Sequence, residues 1–415
     1  MGSDAWDAHH PPGPDLLKEC VHCGFCLPTC PTYLLWGEEM DSPRGRIALM
    51  AAGHDGEPLD DAMVRHFDRC LGCMACVTAC PSGVQYDKLI GATRAQVERK
   101  HRRPLRERVM RAMIFRLFPY PTRMRMLRPL KRFAPKAMRR LAPSTVGSES
   151  IAAITPAVGT KRARVGVLLG CVQREFFSEV NAATVRVLAA EGCEVVASRS
   201  QGCCGALSLH IGRDTEAIAF AKKLIATFES LAVDAVVVNA AGCGSSMKDY
   251  GWVLRDERGW GERAVSFSAK VRDLNEWLVE LGPTATRHPL PMTVAYHDAC
   301  HLAHAQRIRT QPRQLLREVP GLQIREVVES EICCGSAGVY NLLQPAAATE
   351  LGNRKATHIA ATQADLVVTA NPGCILQIAS ALRANGTAIP VVHPAVVLDA
   401  SIRGLSLREE PPANT

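Results

Sequence analysis

Aromatic residues are scarce in this chain, 5% of 415 residues, and no Gly-rich phosphate-binding fingerprint follows any strand-like run. The first scarcity, with no recognisable nucleic-acid module, speaks against nucleic acid as a partner. The second leaves no site for NAD or FAD, and so no group of the chain's own to take hydride from an alcohol. No uncharged apolar stretch reaches 18 residues, so no membrane-spanning helix is expected. Residues 1–15 are polar and rich in Pro, His and Asp. They lack the charged and apolar regions of a secretory signal and are expected to form a disordered lead-in. Cysteine, by contrast, is abundant, with 17 in all. Without an export signal these point to a reducing compartment, where thiols stay free for metal. The expected location is the cytoplasm, either free or peripheral on the inner face of the cytoplasmic membrane.

Eight cysteines fall into two matching runs, Cys20-x2-Cys23-x2-Cys26-x3-Cys30-Pro31 and Cys70-x2-Cys73-x2-Cys76-x3-Cys80-Pro81. This is the ligand run of a ferredoxin with two [4Fe-4S] clusters. Three thiolates at i, i+3 and i+6 converge on one cube, and the fourth, followed by Pro, swings to the other. Cys20, Cys23 and Cys26 therefore pair with Cys80, and Cys70, Cys73 and Cys76 with Cys30. A zinc site needs only four ligands and no such crossover. Arg44 and Arg46, close in sequence to Cys30, carry positive charge that can raise a cluster potential or form ordinary salt bridges.

Charge is unevenly spread. Residues 98–140 carry 16 Lys or Arg against Glu98 and Glu107, a net +14, which leaves −6 for the rest of a chain whose total is +8. Met110, Ile114, Leu117 and Phe118 keep helical spacing, and Pro119 and Pro121 are expected to break that helix. Three readings fit such a segment. It can lie on anionic lipid, pack its apolar side on its own domains, or dock an acidic partner subunit.

The predicted organisation is multi-domain α/β. Residues 16–95 form a helical ferredoxin-like dicluster domain, with helices expected in Arg46-Ile-Ala-Leu-Met-Ala-Ala and Pro58-Leu-Asp-Asp-Ala-Met-Val-Arg-His-Phe. Residues 96–160 are a basic connector. From residue 161 short β-rich runs alternate with helical ones, the pattern of a parallel sheet. Expected strands begin at Arg164, Glu194, Ala235, Thr293, Leu322 and Leu366, and Asn181 is expected to cap a helix. The unit repeats, in residues 161–284 and again in 285–410. Cys171, Cys203-Cys204-Gly205 and Cys243 are spaced C-x31-CC-x38-C, and Cys300, Cys333-Cys334-Gly335 and Cys374 are spaced C-x32-CC-x39-C. Cysteines in register at this period mark an internal duplication. Each set follows predicted strands, where open α/β sheets bind ligands. Four thiolates suit iron-sulfur or zinc, and adjacent cysteines also suit redox thiol chemistry. His297, Asp298 and His301 lie beside the second set and His393 follows a strand-like run, whereas the isolated Cys193 reads as a small buried hydrophobe.

Cys20-Val-His-Cys-Gly-Phe-Cys, Thr29-Cys-Pro-Thr-Tyr33, Asp41-Ser-Pro-Arg-Gly-Arg-Ile47, Cys203-Cys204-Gly205 and Cys333-Cys334-Gly335-Ser-Ala-Gly338 resemble the iron-sulfur subunit of bacterial glycolate oxidase (glycolate dehydrogenase) over residues 16–405. The resemblance implies an electron-transfer subunit of an oxidoreductase complex whose acceptor is neither NAD nor oxygen. It implies FAD-binding flavoprotein partners that oxidise glycolate to glyoxylate, a quinone-type acceptor, and no catalytic residue on this chain. The duplicated units resemble the cysteine-rich CCG domains of heterodisulfide reductase, which hold unusual iron-sulfur clusters. There the repeat ends in Cys-x2-Cys, whereas Ser246 and Gln377 hold the last position here. Lactate, glycerol-3-phosphate and heterodisulfide-type complexes use similar chains, the last with chemistry at the CCG cysteines.

Overall fold

The computed structural model describes residues 5–127 and 149–407. Between the two cysteine runs the chain forms helices Pro43–His54 and Asp61–Arg69. Each begins on a side-chain cap. Ser42 Oγ accepts from the Gly45 N–H at 3.0 Å, and Asp60 from that of Met63 at 2.8 Å. Their apolar sides, Ile47, Met50, Met63, Val64 and Phe67, close on Leu89, Ile90 and Val97 of helix Tyr86–Lys100. The described part of the lead-in is docked, not loose. Trp6 is buried against Gly53, where a β-carbon would stand 2.8 Å from the indole nitrogen, and Asp7 is held by Gln96 and Arg99. One indole buries enough apolar surface to anchor an otherwise polar stretch.

Two sheets follow. The first contains β1 (Ile154–Thr155), β2 (Ala163–Val167), β3 (Cys193–Val196), β4 (Ala235–Val238) and β5 (Val271–Asp273), in the order β1-β3-β2-β4-β5. The second contains β6 (Met292–Tyr296), β7 (Leu322–Glu326), β8 (Leu366–Val368) and β9 (Val391–Val392), in the order β7-β6-β8-β9. All pairings are parallel except that of β1 with β3. Without β1 the two orders are the same, so the duplication read from cysteine spacing extends to the topology. The strands β1 and β5 carry no clear signal in the sequence because two or three residues are too few for a pattern.

The repeats share one core, in which Val165, Val195 and Leu188 pack in a single cluster with Val294, Tyr296 and Leu398. Across it helix Ser178–Ala190 meets helix Pro394–Arg403, and Arg186 pairs with Asp399 at 2.7 Å. Asn181 lies inside the first of these helices, not at its cap. Its amide instead donates to the Leu169 carbonyl at 3.0 Å and accepts from Asn239 at 2.9 Å, bonds that only the folded sheet supplies.

Of the basic segment, helices Leu105–Leu117 and Pro121–Leu127 are described, and residues 128–140 lie outside the described part. Ile114 and Phe115 pack between the repeats against Ile211, Val339 and Leu342. Arg103 and Arg111 are buried among Asp68, Glu98 and Glu107. Pro121 opens a helix instead of only ending one, since a first-turn position needs no N–H. Leu105, Val109 and Met126 remain exposed. Among the described residues no helix is long and apolar enough to cross a membrane.

Candidate metal centres and their setting

The two ferredoxin-type loops share one backbone course. The third and fifth residues of each run are left-handed: His22 (φ 54°) and Gly24 (φ 86°) in the first, Gly72 (φ 62°) and Met74 (φ 64°) in the second. Such turns are uncommon for His and Met, and their recurrence in register curls both loops alike around their thiols. An arginine braces each loop. Arg44 Nη1 donates to the His22 carbonyl at 2.9 Å, and Arg94 Nη2 to that of Cys70 at 2.5 Å. Cys30, Cys70, Cys73 and Cys76 are buried, Cys20, Cys26 and Cys80 half-buried, and Cys23 exposed. Cys30 lies close enough to Cys73 and Cys76 to influence both thiols electrostatically. Burial pushes Cys26 up to about 11, and raises Cys73 and Cys76 well above the ordinary thiol value. Burial acts the same way on Cys70, but the Arg46 and Arg94 guanidiniums overcome it and hold that thiol low.

Arg46 is the largest fully buried side chain among those described. It bonds Thr32 and the His66 carbonyl and pairs with Asp41, which also holds His66 and Arg69. Arg44 is instead fixed on Glu39 at 2.6 Å. The two arginines therefore have separate tasks, one under the second loop and one against the first.

In each repeat the paired-cysteine motif lies at the carboxyl edge of its sheet. Cys171 follows β2, Cys203 and Cys204 follow β3, and Cys243 enters the first turn of helix Ala241–Lys248 after β4. Cys203 Sγ is 3.6 Å from Cys171 Sγ, and Cys204 accepts from both Cys203 and Cys243. The second set matches. Cys300 Sγ is 3.9 Å from Cys333 Sγ, and Cys334 accepts from Cys333 and Cys374. In both sites the central sulfur is held low by its thiol donors, and the donors are raised. Four thiols so gathered form a soft donor set of the kind that binds zinc or iron-sulfur. The residues in the Cys-x2-Cys position are not equivalent. Ser246 Oγ is buried without a partner among the described residues, whereas Gln377 ties Asn341 to the Ala348 carbonyl.

The other singled-out residues divide. His297 is buried facing Cys334. Asp298 is neutralised by Arg313, at 2.7 and 2.8 Å. His393 caps helix Pro394–Arg403 by accepting from the Ala395 N–H at 3.0 Å, and burial lowers it to about 3. Cys193 sits in β3 within the shared core.

The second ferredoxin-type loop is enclosed by both repeats. Leu71, Cys73 and Ala75 cluster with Cys300, Cys333 and Tyr340. His210 Nε2 stands 2.8 Å from the Leu71 carbonyl, His301 Nε2 3.0 Å from that of Gly72, and His304 Nδ1 2.8 Å from Thr78 Oγ1. Sequence reasoning did not single out His210, His304, Arg94 or Lys355. Their partners are remote in the chain, and no local pattern marks them.

A 4Fe-4S dicluster domain matches residues 16–84, and a cysteine-rich domain of the CCG type matches residues 165–248 and 294–379. A protein of Bacillus subtilis named a probable glycolate oxidase iron-sulfur subunit is 38% identical, over 92% of this chain and 93% of its own. The glycolate oxidase iron-sulfur subunit of Escherichia coli is 37% identical, over 89% of this chain and 91% of its own. A lactate utilization protein A of Oceanobacillus iheyensis is 28% identical over 58% of this chain and 98% of its own. Among solved structures, a hypothetical protein of Helicobacter pylori shares the fold, with a TM-score of 0.59 at 10% identity over 96% of this chain and 72% of its own. With two nearly full-length relatives above 35% identity, the chain belongs to the family of glycolate oxidase iron-sulfur subunits.

Proposed function

We propose that this chain is the electron-carrying subunit of a glycolate oxidase complex, built of a dicluster domain (residues 16–95), a connector (96–160) and two CCG units (161–284 and 285–410). Cys20, Cys23, Cys26 and Cys80 hold one [4Fe-4S] cluster, and Cys70, Cys73, Cys76 and Cys30 the other. Bound there, the clusters supply one-electron transfer. Oxidation of glycolate to glyoxylate releases two electrons and two protons, and both electrons pass first to the flavin of a partner subunit. This chain divides the pair, and its acceptor is a quinone at the membrane, with the chain peripheral on the cytoplasmic side. At least one of the two CCG cysteine sites holds further metal, as iron-sulfur or zinc. The observation that carries the reading is the pair of cysteine loops with the same left-handed turns, each braced by an arginine.

The chain's own residues set the electrical environment. Arg46 and Arg94 beside Cys70 favour the more negative, reduced state of whatever that loop holds. The test is anaerobic mixing of glycolate with the complex purified together with its flavoprotein partners, followed by freeze-quench EPR. Reduced-cluster signals growing at the turnover rate are expected with glycolate. Because a lactate utilization protein is also a relative, lactate and glycerol-3-phosphate are run alongside. Faster reduction by either would move the chain to a sister complex.

A further inference from the structure

The two CCG sites differ at two buried positions. Cys171 corresponds to Cys300, so Leu168 corresponds to His297, each three residues earlier. A β-carbon on Gly205 would face the Ala217 carbonyl at 3.1 Å, and one on Gly335 the Ala348 carbonyl at 2.7 Å. Ala217 therefore matches Ala348 and, seven residues on, Leu224 matches Lys355. Leu168 and Leu224 are core residues clustered with Cys204. In the second repeat the same places hold an imidazole 1% exposed and an ammonium 2% exposed.

Among the described residues neither ring nitrogen of His297 has a nitrogen or oxygen partner, a costly state for a buried polar group. It faces sulfur. A His297 nitrogen, Cys334 Sγ and Cys374 Sγ all lie within 4.8 Å of one another. Cys333 touches Cys334 and is the next thiol at hand. Lys355 donates to the Glu329 carbonyl and places its charge beside Cys333, Cys334 and Cys374. Three thiolates, one ammonium and a divalent cation are together neutral, the condition that a dry interior demands of buried ions. Three Cys and one His are also a common ligand set for a tetrahedral divalent ion.

We propose that the second CCG site binds a single divalent first-row metal ion, zinc or ferrous iron, through Cys334, Cys374, Cys333 and His297, and that the first site, with leucines in the matching places, does not bind that ion. The inference rests on the reading that the CCG cysteines hold metal and narrows it to one ion with one imidazole ligand.

The test uses the full chain, purified anaerobically from cells grown on 57Fe. Metal and sulfide are counted per chain, zinc is examined by X-ray absorption, and iron by Mössbauer spectroscopy. About one metal beyond eight cluster irons is expected, with no extra sulfide. Its shell is expected to show sulfur at about 2.3 Å and one nitrogen at about 2.0 Å if zinc, or a high-spin mononuclear doublet if iron. His297→Leu is expected to lower that metal at least tenfold, leaving the cluster EPR intact. His297→Cys is expected to keep it with an all-sulfur shell, which shows that loss in the leucine variant is not misfolding. Cys243→Ser in the first repeat is expected to leave it in place. Metal retained by His297→Leu, or additional sulfide marking another cluster, overturns the inference while the broader reading stands. No metal beyond the cluster irons overturns both.

Discussion

His301 Nε2 lies 3.0 Å from the carbonyl oxygen of Gly72, so the residue after Cys300 holds the loop between Cys70 and Cys73. A carbonyl only accepts, so Nε2 carries the proton, and Nδ1 is left to accept from Ser245 Oγ at 2.7 Å. His210 does the same for Leu71 from the other repeat, and the two rings stand 6.4 Å apart. Each CCG unit thus contributes one neutral imidazole to the same loop. Replacing His301 with Ala leaves a buried carbonyl unpaired and is expected to cost about 1–3 kcal/mol, read from the urea midpoint of cluster loss.

Burial holds His210, His301 and His304 below the ordinary imidazole value. The unfolded chain therefore takes up protons near pH 6.5 that the folded chain refuses. Stability is expected to be unaffected by these groups above about pH 6.5 and to fall as the pH drops from there toward the folded values. Cluster-release rates measured from pH 7.5 down to 5.5 check this. A His210→Gln/His301→Gln variant should show the shallower dependence, and an equal slope would free these histidines of the effect.

The proposed pairing of Cys30 with Cys70, Cys73 and Cys76 makes a spectroscopic prediction. Cys30→Ser and Cys73→Ser are expected to perturb the same EPR signal, and Cys23→Ser the other. Agreement between Cys30→Ser and Cys23→Ser would instead assign each run to its own cluster.

Arg46→Gln removes a buried positive charge beside Cys70 and Cys30. The midpoint potential of one cluster is expected to fall by roughly 50–100 mV, where each 59 mV is a tenfold change for one electron. Arg44→Gln, at the exposed first loop, is expected to move the other cluster by less, since water screens that site. Redox titration followed by EPR separates the two.

Gly212 (φ 88°) marks where the dicluster domain docks on the first repeat. A β-carbon there would stand 2.1 Å from the Arg94 carbonyl oxygen, which is backbone and cannot give way. Gly212→Ala is expected to cost more than about 2 kcal/mol, from left-handed strain plus the clash. Gly386→Ala is also left-handed but faces open space, and should show the strain alone, about 1 kcal/mol. Denaturation midpoints of the two variants give the difference.

The sequence by itself determined whatever depends on short spacing. The two Cys runs with their prolines mark a dicluster domain, the matched C-x31-CC-x38-C and C-x32-CC-x39-C frames announce a duplication, and Val-rich runs such as Ala235-Val-Val-Val-Asn mark parallel strands. These patterns are local because a cysteine loop or a strand satisfies most of its own geometry. Only the tertiary structure decided what depends on remote partners. It docked Trp6 on Gly53, drew Asn181 into a helix interior to bond Leu169 and Asn239, and divided the work of Arg44 and Arg46. It also buried His297 and Lys355 where the first repeat keeps Leu168 and Leu224. A buried polar side chain is placed by the group that satisfies it. When that group arrives from a hundred residues away, nothing in the neighbouring sequence records it.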